Sequence, residues 1–306
     1  MSNNEYKYYF SIYANFRDEA PYLYEWVVYH LLIGVDHFYL YNHLSKDNYL
    51  EILQPFIEKG IVTLGHHNEE TAPKFLKYKH CIENYKNESR WIGFIDLDEF
   101  IMLKTKQQNI SNFLENYESY NGVGLCWLYF GANGLEKKDD RMVLERFTKR
   151  EDIEKIKDSP WYGWREYKTI ANPRSIKTNK IDCPHGFRYS NNNKLVDENL
   201  NQIGVATENE RFNLWHCQAS YNKAYIAHYK SKSLEEFIFR NVTLPRDDIS
   251  KFRWEVESVS ERKKEALIAW RDQQTNRNAV EDNIAKKFLK KIKNFDLEKY
   301  CENKKW

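Results

Sequence analysis

The sequence lacks most features that assign a chain to a specialised class. Its five cysteines, Cys81, Cys126, Cys183, Cys217 and Cys301, are scattered, odd in number and without a C-x-x-C spacing. That excludes a disulfide-built scaffold and fits a reducing compartment. No run approaches the roughly 18 apolar residues of a membrane span, and residues 1–5 are polar with no apolar signal segment behind them. The formal net charge is only +2, so the chain as a whole is no nucleic-acid or polyanion binder. Neither G-x-x-x-x-G-K nor G-x-G-x-x-G occurs, which leaves P-loop and dinucleotide readings without support. There are no repeats and no low-complexity linker. These absences lead to the expectation of a cytoplasmic protein, free or bound to the inner membrane face.

What is present is 306 residues with 42% hydrophobic and 30% charged content, the size of one large α/β domain or of a domain with an elaborated second half. Aromatics reach 16%, including 22 Tyr and 9 Trp. An aromatic-rich core accounts for most of them, and rings that stack on sugars are the alternative.

The first hundred residues alternate in type. Tyr8–Tyr13 is aromatic and β-branched and predicts a strand. Asp18 then offers a helix cap and Pro21 suits a first turn. Leu23, Trp26, Val27, His30 and Leu31 keep helical spacing up to Gly34. Strand, helix, strand, helix, strand follow at 35–41, 48–58, 61–64, 73–85 and 91–95. This pattern predicts a mostly parallel sheet with helices on both faces. Ligands of such sheets bind at the carboxyl ends of the strands. Asn15–Glu19, Asn42–Asp47 and Asp96–Asp98 therefore belong on one edge. Beyond them, Leu125–Phe130 predicts a buried strand, and 234–239, 258–270 and 279–293 predict helices. The expected division is a catalytic domain at 1–240, with halves at 1–104 and 105–240, and a helical extension at 241–306.

Trp91-Ile92-Gly93-Phe94-Ile95-Asp96-Leu97-Asp98-Glu99-Phe100 carries the chemistry. An apolar strand delivers carboxylates to a sheet edge, where two Asp at i and i+2 can converge on a hard divalent ion. Such an ion would neutralise a departing diphosphate. The tripeptide itself is common, so its weight comes from its place after the fourth strand.

Several segments in order resemble glycosyltransferase family 92 and related family-2-like bacterial enzymes. They are Arg17–Leu23 with Glu25-Trp26 and Tyr29-His30; Gly34–Tyr39 through Asn42 and Ser45–Asp47; Trp91–Phe100; Phe130–Gly134; Arg146-Phe147; Lys168 with Pro173; and His228-Tyr229 with Lys232-Ser233 and Glu235–Phe237. The resemblance implies a GT-A (Rossmann-like) fold, a UDP-sugar donor (UDP-galactose first), inversion at the sugar and Mn²⁺ or Mg²⁺. By position it implies Asp96 and Asp98 as the metal pair, with Asp96 also on the donor side. Asn15, Arg17 and Glu19 would lie under the nucleotide, Asn42 and Asp47 near the uridine, and His228 would be a further metal or diphosphate ligand. Two positions depart from the family pattern: Asp18 stands where Asn is usual, and Asn42 where Asp is frequent.

An inverting transfer needs a carboxylate base near the acceptor hydroxyl. Glu166 and Asp182 are the two candidates, and the sequence does not choose between them. Near the end, Lys286, Lys287, Lys290, Lys291 and Lys293 surround Ile284, Phe288, Leu289 and Ile292. This basic amphipathic helix either lies on an anionic membrane face or packs its apolar side on the domain, and composition favours packing. The resulting expectation is a hexosyltransferase acting on a glycan or lipid-linked acceptor. A nucleotidyltransferase or phosphohydrolase, and a non-catalytic glycan-binding protein, are the alternatives.

Overall fold

Most of the apolar runs expected to form strands are buried on both faces, while β3 (Val62–His66), toward the sheet edge, is partly exposed. The computed structural model describes residues 6–68, 74–106, 108–157, 164–181, 183, 185–190, 194–204, 216–244 and 258–304. Its first third is β1 (Tyr8–Phe16), α1 (Ala20–Leu32), β2 (His37–Asn42), α2 (Tyr49–Glu58), β3 (Val62–His66), α3 (Lys74–Tyr85) and β4 (Ser89–Phe94). All residues of β2 and β4 are buried, as expected for strands covered by helices. These four strands lie in the order β3-β2-β1-β4, all parallel.

The second half adds β5 (Glu99–Leu103), α4 (Ile110–Leu114), β6 (Gly122–Tyr129), α5 (Val143–Arg146), β7 (Lys149–Arg150), α6 (Ile153–Lys157), β8 (Trp164–Ala171), β9 (Leu195–Asp197), β10 (His216–Gln218) and β11 (Ala224–His228). They extend the sheet as β4-β8-β6-β11-β5. Here the pairing is mixed: β8 is antiparallel to β4 and β6, and β5 is antiparallel to β11. The expected α/β sheet is present: its first four strands are all parallel, and parallel pairs recur only between β6 and β11 and between β6 and β9 among the described residues.

α1 starts with Pro21 in its first turn, as predicted. It stops where Gly34 takes φ +102 and donates its N–H to Leu31 O at 3.0 Å, the left-handed conformation a glycine provides without a Cβ clash. Asp18 does not cap this helix. It stands at φ +52 and accepts the Lys46 N–H at 2.6 Å. The amide of Ala20 donates instead to Asp47 at 2.7 Å, from the loop after β2. The two loops at the sheet edge are thus stapled together by two carboxylates.

The C-terminal elements are α7 (Leu234–Ile238), a π-helical turn at Phe239–Thr243, α8 (Val259–Arg277), β12 (Val280–Glu281), α9 (Lys286–Lys293) and α10 (Leu297–Asn303). The helix expected over 279–293 is therefore only partly formed. Val280 and Glu281 pair with β7, and Asp282 holds Arg150 at 2.7 Å and the Tyr225 hydroxyl at 3.1 Å. These tertiary bonds override the local helical pattern. On α9, Phe288 and Ile292 are buried, with Phe288 edge-on to Tyr29 at 5.0 Å, while the lysines face outward. The apolar side of this helix is packed on the domain.

Candidate active site

β4 ends at Phe94, and the chain turns through Ile95–Asp98 before β5 begins. The turn closes on itself: Glu99 N–H donates to Asp96 O at 3.0 Å, and Asp96 N–H donates to Glu99 Oε2 at 2.9 Å. β5 then runs against β11 with Glu99 opposite His228, and β11 runs beside β6 with His228 opposite Tyr129. In-register neighbours share a face of the sheet. Glu99, His228 and Tyr129 therefore form a row across three strands.

Asp98, Glu99 and His228 each offer one ligand atom within 4.8 Å of the others, and all three are buried. Asp98 Oδ2 lies 3.4 Å from His228 Nε2 and is also held by the Arg240 guanidinium. Asp96 does not join this group. Its carboxylate accepts from Lys168 Nζ at 3.0 Å, and the same ammonium is 3.6 Å from Glu99 Oε1. The expected Asp96–Asp98 pair is thus divided between two cations, Lys168 and Arg240.

Burial raises the Asp98 carboxyl, but Arg240, His228 and Lys232 outweigh it and hold its pKa well below the usual range. Burial lifts Glu99 to about 8, with Lys168 pulling it down and Asp96 and Asp98 pushing it up. Burial lowers His228 to about 4 against the attraction of Asp98, so its ring is neutral at pH 7, the form that binds metal. Glu99 Oε1 and His228 Nδ1 are buried without a hydrogen-bond partner among the described residues. The Asp98 carboxylate, a Glu99 carboxyl that would give up its proton on ligation and a neutral imidazole fit a divalent ion, Mn²⁺ better than Mg²⁺, which prefers oxygen alone.

A cleft of about 790 Å³ opens beside the cluster, lined in part by Arg17, Asp47, Lys230, Lys232, Glu236 and Arg240. Arg17 and Glu19, expected under the nucleotide, and Asp47, expected near the uridine, line it. Asn15 Oδ1, Arg17 Nε, Glu19 Oε2 and Asp47 Oδ1 are buried without hydrogen-bond partners among the described residues. Glu19 Oε2 nonetheless lies 3.6 Å from Lys232. Buried polar atoms normally find partners, so their gathering at one edge marks a ligand surface. Asn42 is already engaged: it accepts from Ser45 N at 3.0 Å and donates to the Tyr49 hydroxyl at 3.0 Å.

Glu166 stands on β8, two residues from Lys168 and so on the same strand face. It accepts from the Tyr129 hydroxyl at 2.9 Å, and Tyr129 stacks on His228 with ring centroids 5.2 Å apart. His185 Nε2 is 4.0 Å from Glu166, and Trp127 lies against both His185 and His228. Asp182 lies outside the described residues. Sequence reasoning passed over Arg240, Lys230, Trp127 and Tyr129. The i, i+2 spacing of Trp127 with Tyr129 was a readable signal, whereas Arg240 had none.

A sequence profile of glycosyltransferase family 92 matches residues 11–294. This chain belongs to glycosyltransferase family 92. A family 92 protein of Ricinus communis is 26% identical over 59% of this chain and 32% of its own length. The Arabidopsis thaliana galactan beta-1,4-galactosyltransferase GALS2 is 29% identical over 54% of this chain and 33% of its own length. The chain spans about a third of the length of the curated relatives it matches. Among solved structures, Staphylococcus aureus TarS (residues 1–349) aligns over 85% of this chain and 70% of that one, at 13% identity and a TM-score of 0.42.

Proposed function

We propose that the protein is a metal-dependent, inverting hexosyltransferase that moves galactose from UDP-galactose to a glycan or lipid-linked acceptor. One observation carries this reading: Asp98, Glu99 and His228 converge within 4.8 Å where Arg240 joins them to the cleft built on the β1 and β2 loops. The galactosyltransferase relatives support the choice of sugar.

Asp98, Glu99 and His228 would hold the ion, which supplies Lewis-acid stabilisation to the leaving diphosphate. Asp96 is assigned to the donor side, at the cost of its bond to Lys168. Arg17 and Glu19 line the nucleotide end, and Asn15 adds its unpartnered Oδ1 from the end of β1. Asn42 and Asp47 shape the loop on which the uridine rests. Glu166 is the proposed base. Tyr129 orients its carboxylate toward the acceptor hydroxyl, whose proton Glu166 takes as the oxygen attacks the sugar. Asp182 is the other candidate for that task. The cytoplasmic location belongs to the proposal too. No helix among the described residues is long and apolar enough to cross a membrane, and the outward lysines of α9 leave peripheral contact with an anionic surface as part of the same reading.

A thermal-shift screen of UDP-hexoses with and without Mn²⁺ tests the donor, since binding to the folded state raises stability by mass action. UDP-galactose should stabilise only with the metal present, and Asp98→Ala should abolish turnover while leaving the protein folded. Full activity in that variant, or release of pyrophosphate in place of UDP, would reject the assignment.

A further inference from the structure

The contact between Arg240 and Asp98 joins a sealed group to an open one. Asp98 is 2% exposed at its side chain, whereas Arg240 is 35% exposed and lines the cleft. Arg240 sits on the π-helical turn Phe239–Thr243, a geometry that is frequent at functional sites. Its guanidinium takes the same Asp98 oxygen that faces His228. It therefore fills one of the ligand positions that a cation in the Asp98–Glu99–His228 cluster would use.

The rest of the cleft has an unbalanced cation. Lys230 lines it and has no carboxylate partner among the described residues. Arg277, Arg240, Glu166 and Asp98 are the charged groups around it. The acids of the same wall face other groups: Glu236 pairs with Arg146 at 2.8 Å, Glu235 accepts from the Lys138 amide at 2.9 Å, Asp18 from the Lys46 amide at 2.6 Å and Asp47 Oδ2 from the Ala20 amide at 2.7 Å, and Glu19 lies 3.6 Å from Lys232. A half-buried ammonium that no carboxylate pairs directly is completed by an incoming anion.

We infer that Arg240 exchanges between two anions. In the ligand-free protein it is the stand-in cation on Asp98, and in the donor complex it leaves Asp98 to the divalent ion and grips the donor diphosphate beside Lys230. This rests on the proposed nucleotide-sugar donor and adds to it an arginine that senses whether the metal is bound. Two positive charges exclude each other at one carboxylate. A planar guanidinium fork is suited to two phosphate oxygens. Metal and nucleotide diphosphate should therefore bind with positive coupling, and the coupling is reciprocal.

The test uses full-length protein, Mn²⁺ alone followed by electron paramagnetic resonance of the free ion, and UDP titrated calorimetrically at saturating Mn²⁺. Arg240→Ala should bind Mn²⁺ alone about tenfold more tightly than wild type and UDP with Mn²⁺ about tenfold more weakly. Arg240→Lys keeps the charge but loses the fork. It should keep wild-type Mn²⁺ affinity and still bind UDP several-fold more weakly, and it serves as the deciding variant if thermal unfolding shows Arg240→Ala to be misfolded. Unchanged Mn²⁺ affinity in a folded Arg240→Ala, or unchanged UDP affinity in either variant, overturns the exchange. A wild-type protein that binds neither Mn²⁺ nor UDP rejects the donor reading itself, which separates the two failures.

Discussion

The Tyr129 hydroxyl donates to Glu166 at 2.9 Å while its ring lies over His228. The proposed base and the metal cluster are therefore held by one side chain, and the distance between them is set by the β6 strand. Replacing Glu166 by Gln should lower kcat about 100-fold or more and leave Mn²⁺-dependent UDP affinity unchanged. Tyr129→Phe should lower kcat less, about tenfold, with the donor KM unaltered. Steady-state kinetics at several donor concentrations reads both. Wild-type kcat in Glu166→Gln would move the base elsewhere, with Asp182 next in line.

Arg146 and Glu236 form a bidentate pair at 2.8 and 2.9 Å, with side chains 1% and 4% exposed. Glu236 also closes the capping box of α7 with Ser233. Removing one member strands the other charge in a desolvated wall. Arg146→Met should cost about 3–5 kcal/mol of stability, measured as a lowered urea midpoint with unchanged slope. A loss under about 1 kcal/mol would mean that water reaches the pair.

His30 is fully buried on α1. Its Nδ1 lies 2.8 Å from Trp26 O, and its Nε2 faces the Ile101 N–H at 3.3 Å. A carbonyl only accepts and an amide only donates, so Nδ1 carries the proton and Nε2 is bare. Burial pushes the ring pKa down from 6.5 to about 3, against the Trp26 carbonyl. His37 is lowered to about 3 as well, again first by burial. Unfolded chains take up these protons near pH 6.5, and the folded protein refuses them until about pH 3. The stability they contribute is complete above pH 6.5 and is lost as the pH falls, on the order of 1 kcal/mol per pH unit for each ring. Urea unfolding from pH 7 to 4 should show that slope, and His30→Asn should flatten it. An equal slope in the variant would reject the assignment.

Gly131 opens the Phe130–Gly134 segment beneath the end of α8. A Cβ there would come 2.6 Å from the Arg277 carbonyl oxygen. The next two amides donate to Gln274 at 2.7 Å and Asn278 at 3.0 Å. Gly131→Ala should cost about 1–3 kcal/mol and speed amide exchange at the C-terminal end of α8. Exchange rates in residues 270–278 equal to wild type would show that the helix shifts without loss.

The parallel half of the sheet was readable because its cause is local. β1, β2, β3 and β4 are short apolar runs separated by amphipathic helices, and burying both faces of such runs leaves few arrangements. Position after a strand then places Arg17, Asp47 and Asp98 at one edge without any knowledge of their contacts. The helix expected at 279–293 was misread for the complementary reason. Its apolar spacing is real, but Asp282 is claimed by Arg150 and Tyr225, and periodicity carries no trace of those partners.

The chain by itself determined that carboxylates stand at the end of β4, because hydrophobic alternation and turn residues encode elements and their edges. Only the tertiary structure decided which partner each of those carboxylates takes. β11 comes more than 120 residues after β5 in the chain, and their antiparallel register sets His228 opposite Glu99. β8 brings Lys168 to Asp96, and the π-helical turn brings Arg240 to Asp98. Such pairings are fixed by how distant elements pack and by the desolvation of charges between them, and neither leaves a pattern in the sequence around Asp96 and Asp98.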